Sequence, residues 1–214
     1  MTSANIQSNN TIRHTKIVII GGFLGTGKTT LIKELGKTYA ASGKTVAYFT
    51  NEVGEEVIDG DLLGYDINTK EVTTACVACN LKEVMSVAVG QLIEQAQPDV
   101  LFIEPKETIS PLVVKDELEK ASLKTGFEEY QFAPLFTLID CSSFFKNVKE
   151  KKKITFDQIT VSEIIVLNKT DLVSEGEFGL IEESIRQINP GAKILKSPVQ
   201  NKKELDEMIG LINI

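Results

Sequence analysis

The chain has 214 residues, a formal net charge of −7 and a hydrophobic fraction of 42%. This length and balance predict one compact domain, and the negative charge argues against a nucleic-acid-binding surface. No apolar run is long enough to cross a bilayer, and three cysteines are too few for a disulfide scaffold, so we expect a cytoplasmic protein without a membrane partner. Residues 1–15 are polar and predict a disordered tail, which leaves 16–214 as the single domain. The only basic run, 149–153, predicts a solvated loop.

Short apolar runs rich in β-branched residues alternate with longer segments of helical periodicity. The runs are residues 17–20, 45–49, 100–103, 135–139, 164–167 and 194–195. Runs that are apolar on both faces indicate buried parallel strands, and helices between them indicate βαβ units. The pattern therefore predicts an α/β fold, with a mostly parallel sheet flanked by helices.

The first run leads into a glycine-rich segment, "GFLGTGKT" at residues 22–29, which fits the Gly-x4-Gly-Lys-Thr pattern. In this motif backbone N–H groups cradle phosphates, the lysine reaches the β- and γ-phosphates, and the following hydroxyl binds Mg²⁺. A strand before the segment and a helix after it supply the required context. A P-loop NTPase fold is therefore predicted, with Thr29 as a Mg²⁺ ligand. The expected nucleotide contacts are Gly22, Gly25, Thr26, Gly27, Lys28, Thr29 and Thr30.

Two cysteines, Cys76 and Cys79, precede a stretch whose apolar spacing predicts a helix over residues 81–96, ended by Pro98. Thiols at i and i+3 in a turn can bind one metal ion, and a nearby helix N-terminus favours the thiolate form. The alternative is that both are ordinary small buried residues. Cys141, which directly follows an apolar run, is predicted to be a core cysteine.

The run at 164–167 is followed directly by Asn168-Lys169-Thr170-Asp171. A carboxylate at Asp171 can accept two hydrogen bonds from the N1 and N2 edge of guanine, which adenine cannot supply. Lys169 would lay its stem along the base, and Asn168 would brace the loop. Beside a phosphate loop this motif predicts GTP as the nucleotide.

With these motifs placed, the chain resembles the CobW/HypB/UreG family of P-loop GTPases, and within it the CobW-like metallochaperones. The resemblance covers residues 16–195 and includes the segments 51–59, 103–111 and 189–192. It implies GTP hydrolysis that controls delivery of a transition metal, or a metal cofactor, to a client metalloenzyme or its assembly factor. It also implies catalytic or Mg²⁺-binding roles for Lys28, Glu52 and Glu104, with Asp59 as a further candidate.

Three departures from the family pattern bear on function. The family's Cys-x-Cys-Cys motif reads Cys76-Val-Ala78-Cys79, so one thiol is replaced by alanine. Glu107 replaces a glycine whose N–H is expected to sense the γ-phosphate, and a carboxylate there would repel phosphate. Either Glu107 points away from the nucleotide, or hydrolysis is slow or differently organised. CobW-like chains usually carry a second, C-terminal domain, and this sequence is expected to hold the GTPase core alone.

Two thiolates do not complete a tetrahedral metal site. Water, an acidic side chain such as Glu52, or a second chain would have to supply the rest, and His14 lies in the polar tail. One hypothesis is a homodimer in which two protomers share Zn²⁺ or an iron–sulfur cluster through Cys76 and Cys79. The alternatives are a GTP-switched partner-binding protein with no metal of its own, and a small-molecule kinase, which the guanine motif disfavours.

Overall fold

The computed structural model describes residues 14–50, 81–125, 130–196 and 201–213. Strands and helices alternate along this part of the chain, as the apolar runs predict. The elements are β1 (Thr15–Gly22), α1 (Lys28–Ala41), β2 (Val46–Thr50), α2 (Leu81–Ala96), β3 (Val100–Glu104), α3 (Pro111–Thr125), β4 (Tyr130–Phe132), β5 (Phe136–Asp140), α4 (Phe144–Glu150), α5 (Lys152–Val161), β6 (Ile164–Asn168), α6 (Glu175–Ile188), β7 (Lys193–Lys196) and α7 (Lys202–Ile212). Two 3₁₀ turns, Cys141–Ser143 and Thr170–Leu172, follow β5 and β6.

Within the described residues the strands form one seven-stranded sheet, in which six strands follow the order β2-β3-β1-β5-β6-β7 and β4 pairs with β1. The strand pairs are parallel, so the predicted fold class is confirmed. Each of the six predicted runs overlaps a strand, with Thr45 and Leu135 lying one residue before β2 and β5. The sequence did not predict β4, because its three residues are at most half-buried and form no apolar run.

The sheet is buried on both faces, which explains why its strands are apolar without alternation. Along β1, Val18 and Ile20 belong to a cluster that includes residues of α1 and α7. The alternate residues Ile17 and Ile19 belong to a cluster that includes residues of α2 and α3. A third cluster joins β6 to α5 and α6. The carboxyl ends of the strands are thereby held at one edge of a rigid sheet.

The helix predicted over residues 81–96 is α2, with Met85, Ala88 and Leu92 on its buried side. It ends before Gln97, which has a φ of 43°, and the proline that follows cannot continue a helix. Within the described ranges, no helix is both long and apolar enough to cross a membrane.

The prediction of a loop at residues 149–153 is wrong, although Lys149, Glu150, Lys151 and Lys153 are exposed as expected. The run spans the end of α4 and the start of α5, with Lys151 as the residue between the two helices. Lys151 is half-exposed, but its ammonium contacts a carboxylate and an aromatic ring near the phosphate loop. Lys151 therefore makes specific contacts with Glu107 and Phe23, which the charge pattern of the run does not predict.

Candidate functional site

The glycine-rich segment lies between β1 and α1, at the carboxyl edge of the sheet. Gly22 and Gly27 have φ values of 136° and 96°, which side chains rarely adopt. A Cβ on Gly22 would lie 2.5 Å from the Leu138 carbonyl oxygen, and one on Gly27 would clash with the Asn168 amide. Both glycines are thus required by backbone conformation and by close packing. The loop has the strand-turn-helix setting of a phosphate-binding site.

Lys28 begins α1 and is almost fully buried, with a relative exposure of 3%. Its ammonium donates to the Phe23 carbonyl at 3.0 Å and lies 3.6 Å from a carboxylate oxygen of Glu104. Thr26 is also buried and donates through its hydroxyl to the same Phe23 carbonyl. Thr30, by contrast, is exposed on the first turn of α1. The cation is therefore held inside the loop that is predicted to bind phosphates.

Glu104 ends β3, and its carboxylate is 2% exposed. It accepts hydrogen bonds from the Thr29 hydroxyl at 3.0 Å and from the Tyr48 hydroxyl at 2.5 Å. These donors and the Lys28 ammonium offset the cost of burying its charge. Thr29 and Glu104 together present oxygen donors of the kind that Mg²⁺ prefers, so the residues fit the predicted magnesium site. The sequence did not predict the role of Tyr48, because the pairing of β2 with β3 cannot be read from local pattern.

Asn168 and Lys169 link the second motif to the first. The Asn168 amide donates to the Thr26 carbonyl at 2.8 Å, so it braces the phosphate loop. Lys169 has a φ of 56°, and its ammonium donates to Asp140 at 2.7 Å. Asp171 lies on the exposed 3₁₀ turn, where its carboxylate is accessible to a base.

Asp140 was not among the predicted site residues. It ends β5 beside Asn168 in the neighbouring strand, which brings it to Lys169. Burial disfavours its charge, but hydrogen bonds from Lys169 and Ser142 outweigh burial and hold the pKa of its carboxyl below the ordinary value. The sequence did offer one signal for Asp140, because it is an acidic residue that directly follows a predicted strand. Asp140 positions the lysine expected to lie along the base.

Glu107 points toward the phosphate loop rather than away from it. Its carboxylate accepts a hydrogen bond from the Leu24 N–H at 3.0 Å and lies 3.7 Å from the Lys151 ammonium. That ammonium is also 4.9 Å from the centre of the Phe23 ring. The Glu107 backbone carbonyl accepts from the Gln158 amide at 2.9 Å. An acidic side chain is therefore held on the loop by residues around α5.

Cys141 is buried in the cluster around α5 and α6, as expected for a core cysteine. Burial, with a smaller contribution from the Asp140 charge, raises the pKa of its thiol to about 11. A raised pKa keeps the thiol protonated at pH 8. In a variant with serine at positions 76 and 79, we expect a thiol reagent at pH 8 to label Cys141 at least about a hundredfold more slowly in the folded than in the unfolded chain. Equal labelling rates would contradict this placement.

Several predicted site residues lie outside the described residues. They are Glu52, Asp59, Cys76, Ala78 and Cys79. His14 is described and exposed. In the described ranges there is no group of three or more His, Cys, Asp or Glu side chains that could hold a metal ion. Roles for Glu52 and the two cysteines therefore stay predictions.

A parallel sheet, a phosphate loop at its carboxyl edge and a buried Lys28–Glu104 pair define a P-loop nucleotide-binding protein. The family model of the CobW/HypB/UreG nucleotide-binding domain matches residues 16–196. The chain belongs to this family, and the predicted resemblance is confirmed.

Relatives agree with this assignment, and a solved structure shares the fold. The chain is 28% identical to the zinc-regulated GTPase metalloprotein activator 1 of Schizosaccharomyces pombe, over 96% of this chain and 51% of the relative. It is 30% identical to the zinc chaperone YeiR of Escherichia coli, over 73% and 47% of the two chains. The chain thus spans about half the length of these relatives. The hydrogenase maturation factor HypB of Archaeoglobus fulgidus shares the fold, with a TM-score of 0.63, 18% identity and coverage of 94% and 92%.

Proposed function

We propose that this chain binds and hydrolyses GTP in complex with Mg²⁺, and that it uses the nucleotide to control delivery of a transition metal to a client metalloenzyme or its assembly factor. The observation that carries the nucleotide part is the Asn168–Thr26 hydrogen bond, which joins the guanine motif to the phosphate loop. One nucleotide can therefore engage both motifs at once. The relatives, which include a zinc-regulated GTPase metalloprotein activator and a zinc chaperone, support the metal part.

The proposed roles follow from the chemistry of each side chain. Lys28 would stabilise negative charge on the β- and γ-phosphates, and the Thr29 hydroxyl and Glu104 would hold Mg²⁺. Asp171 accepts hydrogen bonds from guanine, while Lys169, fixed by Asp140, covers the base. When bound, Mg²⁺ would neutralise charge that develops on the phosphates during hydrolysis.

The proposed metal cargo binds through Cys76 and Cys79, with Zn²⁺ as the first candidate because thiolates are preferred zinc ligands. A homodimer that shares four thiolates would complete a tetrahedral site, and GTP would govern when the two protomers meet. With only three cysteines in the chain, a reducing compartment suits these thiols, so the proposed site of action is the cytoplasm.

Titration of metal-free, anaerobic protein with Co²⁺ tests the metal function. The readout is the sulfur-to-cobalt charge-transfer band, recorded with and without a non-hydrolysable GTP analogue. We expect a band that saturates at one cobalt per two chains and that strengthens with nucleotide. A variant with serine at position 141 is the matched control and should give the same band, because that thiol is buried. The absence of a band in both nucleotide states would contradict a thiolate metal site.

A second candidate function is a GTP-switched binding protein with no metal of its own. Two sequence features favour it: alanine replaces one thiol of the family motif at position 78, and Glu107 replaces the family glycine. Cys76→Ser separates the two functions. If the variant binds GTP and still activates its partner, the second function is correct. If it binds GTP and loses activation, the metallochaperone function is supported.

A further inference from the structure

One peptide group of the phosphate loop is held at both of its polar atoms. The Phe23 carbonyl accepts a hydrogen bond from the Lys28 ammonium at 3.0 Å, and the Leu24 N–H of the same peptide group donates to Glu107 at 3.0 Å. Lysine at this position reaches the β- and γ-phosphates. The Glu107 carboxylate is therefore one peptide group away from the cation that is expected to meet the terminal phosphate.

The chain holds Glu107 there through two further contacts. Lys151 lies 3.7 Å from the carboxylate, and its ammonium is also over the Phe23 ring, so its position is fixed from two sides. The Gln158 amide fixes the Glu107 backbone. The Glu107 side chain is only 27% exposed, so solvent screens its charge incompletely. An anion restrained in this way repels a phosphate that approaches the same N–H.

We propose that Glu107 is a specificity-determining residue that competes with the terminal phosphate of GTP for the Leu24 N–H. Its effect is to lower the affinity for the triphosphate relative to the diphosphate. Lys151 is a positioning residue whose main effect is to offset the charge of Glu107, because the Leu24 N–H and the Gln158 amide still hold Glu107 when Lys151 is removed. Binding of the triphosphate then requires the Glu107 carboxylate to leave the Leu24 N–H. This role rests on the proposed binding of GTP. Its consequence is that Glu107 shifts the preference of the domain from GTP toward GDP.

Calorimetric titration of the whole chain with Mg²⁺ and either GDP or a non-hydrolysable GTP analogue tests the role of Glu107. Glu107→Gln keeps the size of the side chain and an acceptor oxygen for Leu24 but removes the charge. We expect affinity for the triphosphate analogue to rise about tenfold and affinity for GDP to change less than about threefold. Glu150→Gln, an equal charge change one residue from Lys151, is the matched control and should alter neither affinity.

Equal changes for GDP and the analogue, or no change for either, would overturn the proposal. Failure of the unsubstituted chain to bind either nucleotide would instead overturn the proposed function, so the two failures are distinguishable.

A double-mutant cycle tests the role of Lys151. Lys151→Met should lower affinity for the triphosphate analogue about threefold or more, because the charge of Glu107 is then no longer offset. In the Glu107→Gln background the same substitution should have a much smaller effect. Equal losses in both backgrounds would overturn the assignment of Lys151 as a residue that acts through Glu107.

Discussion

Replacing Lys28 with alanine is expected to lower the affinity for Mg²⁺-GTP by at least about thirtyfold. Removing one partner of a buried charge pair costs about 2–5 kcal/mol, and each 1.4 kcal/mol is about tenfold. The ammonium is 3% exposed and lies inside the loop, so water cannot replace it as a partner for phosphate. Fluorescence titration with a labelled GTP analogue measures the change.

Lys33→Ala is the matched control, because it removes the same charge from the same helix. Among the described residues, no hydrogen bond or ion pair joins the Lys33 side chain to the phosphate loop. It should bind the analogue like the unsubstituted chain. The alanine at position 28 also leaves Glu104 without its cation, so binding is compared at a temperature where circular dichroism shows both variants folded. Undiminished binding by folded Lys28→Ala would contradict the assignment of the phosphate loop.

The second large effect is expected from Asp171→Asn, which should change the base that the site prefers. Two hydrogen bonds to a charged acceptor are worth about 1.5–3 kcal/mol each, so GTP affinity should fall at least about a hundredfold. Xanthine carries a carbonyl where guanine has its amino group, and the asparagine amide can donate to it. Xanthosine triphosphate should therefore bind the variant more tightly than GTP does.

Competition of GTP, ATP and xanthosine triphosphate against a labelled nucleotide measures this preference. Asp157→Asn removes an exposed carboxylate from α5 and should leave the preference for GTP unchanged. If Asp171→Asn weakens all three nucleotides equally, Asp171 acts on the stability of the loop rather than on the base.

Local patterns predicted the parts of the fold and site that neighbouring residues determine. The apolar run at 17–20 is buried on both faces in β1, and the glycines that follow it adopt the conformations that the motif needs. The Asn168–Asp171 motif was also predicted from local sequence, because it directly follows the apolar run that forms β6. Predicting these features requires only the order of strands and turns along the chain.

Long-range packing determined the parts that the sequence did not reveal. Tyr48 reaches Glu104 because β2 pairs with β3 in one particular register. Glu107 reaches Leu24 across 83 positions of sequence. Lys151 belongs to a run of charges that is indistinguishable from a solvated surface until α4 and α5 are placed. Contacts of this kind depend on tertiary geometry, which composition and spacing do not encode.

The direction in which Glu107 points is also determined by long-range packing rather than by local sequence. A glutamate in place of a glycine next to a phosphate loop predicts repulsion of phosphate but not orientation. The cation that orients it, Lys151, comes from another part of the chain. Its carboxylate is therefore directed at the loop rather than into solvent, and the consequence for nucleotide choice can be derived from the structure.

Direct calorimetric titration tests the claim that this chain is a guanine-nucleotide-binding domain. The unsubstituted chain would be titrated with Mg²⁺ and non-hydrolysable analogues of GTP and of ATP under identical conditions. We predict one GTP analogue bound per chain, with an affinity at least about a hundredfold higher than for the ATP analogue. Equal affinities for the two analogues, or no binding of the GTP analogue, would contradict the claim.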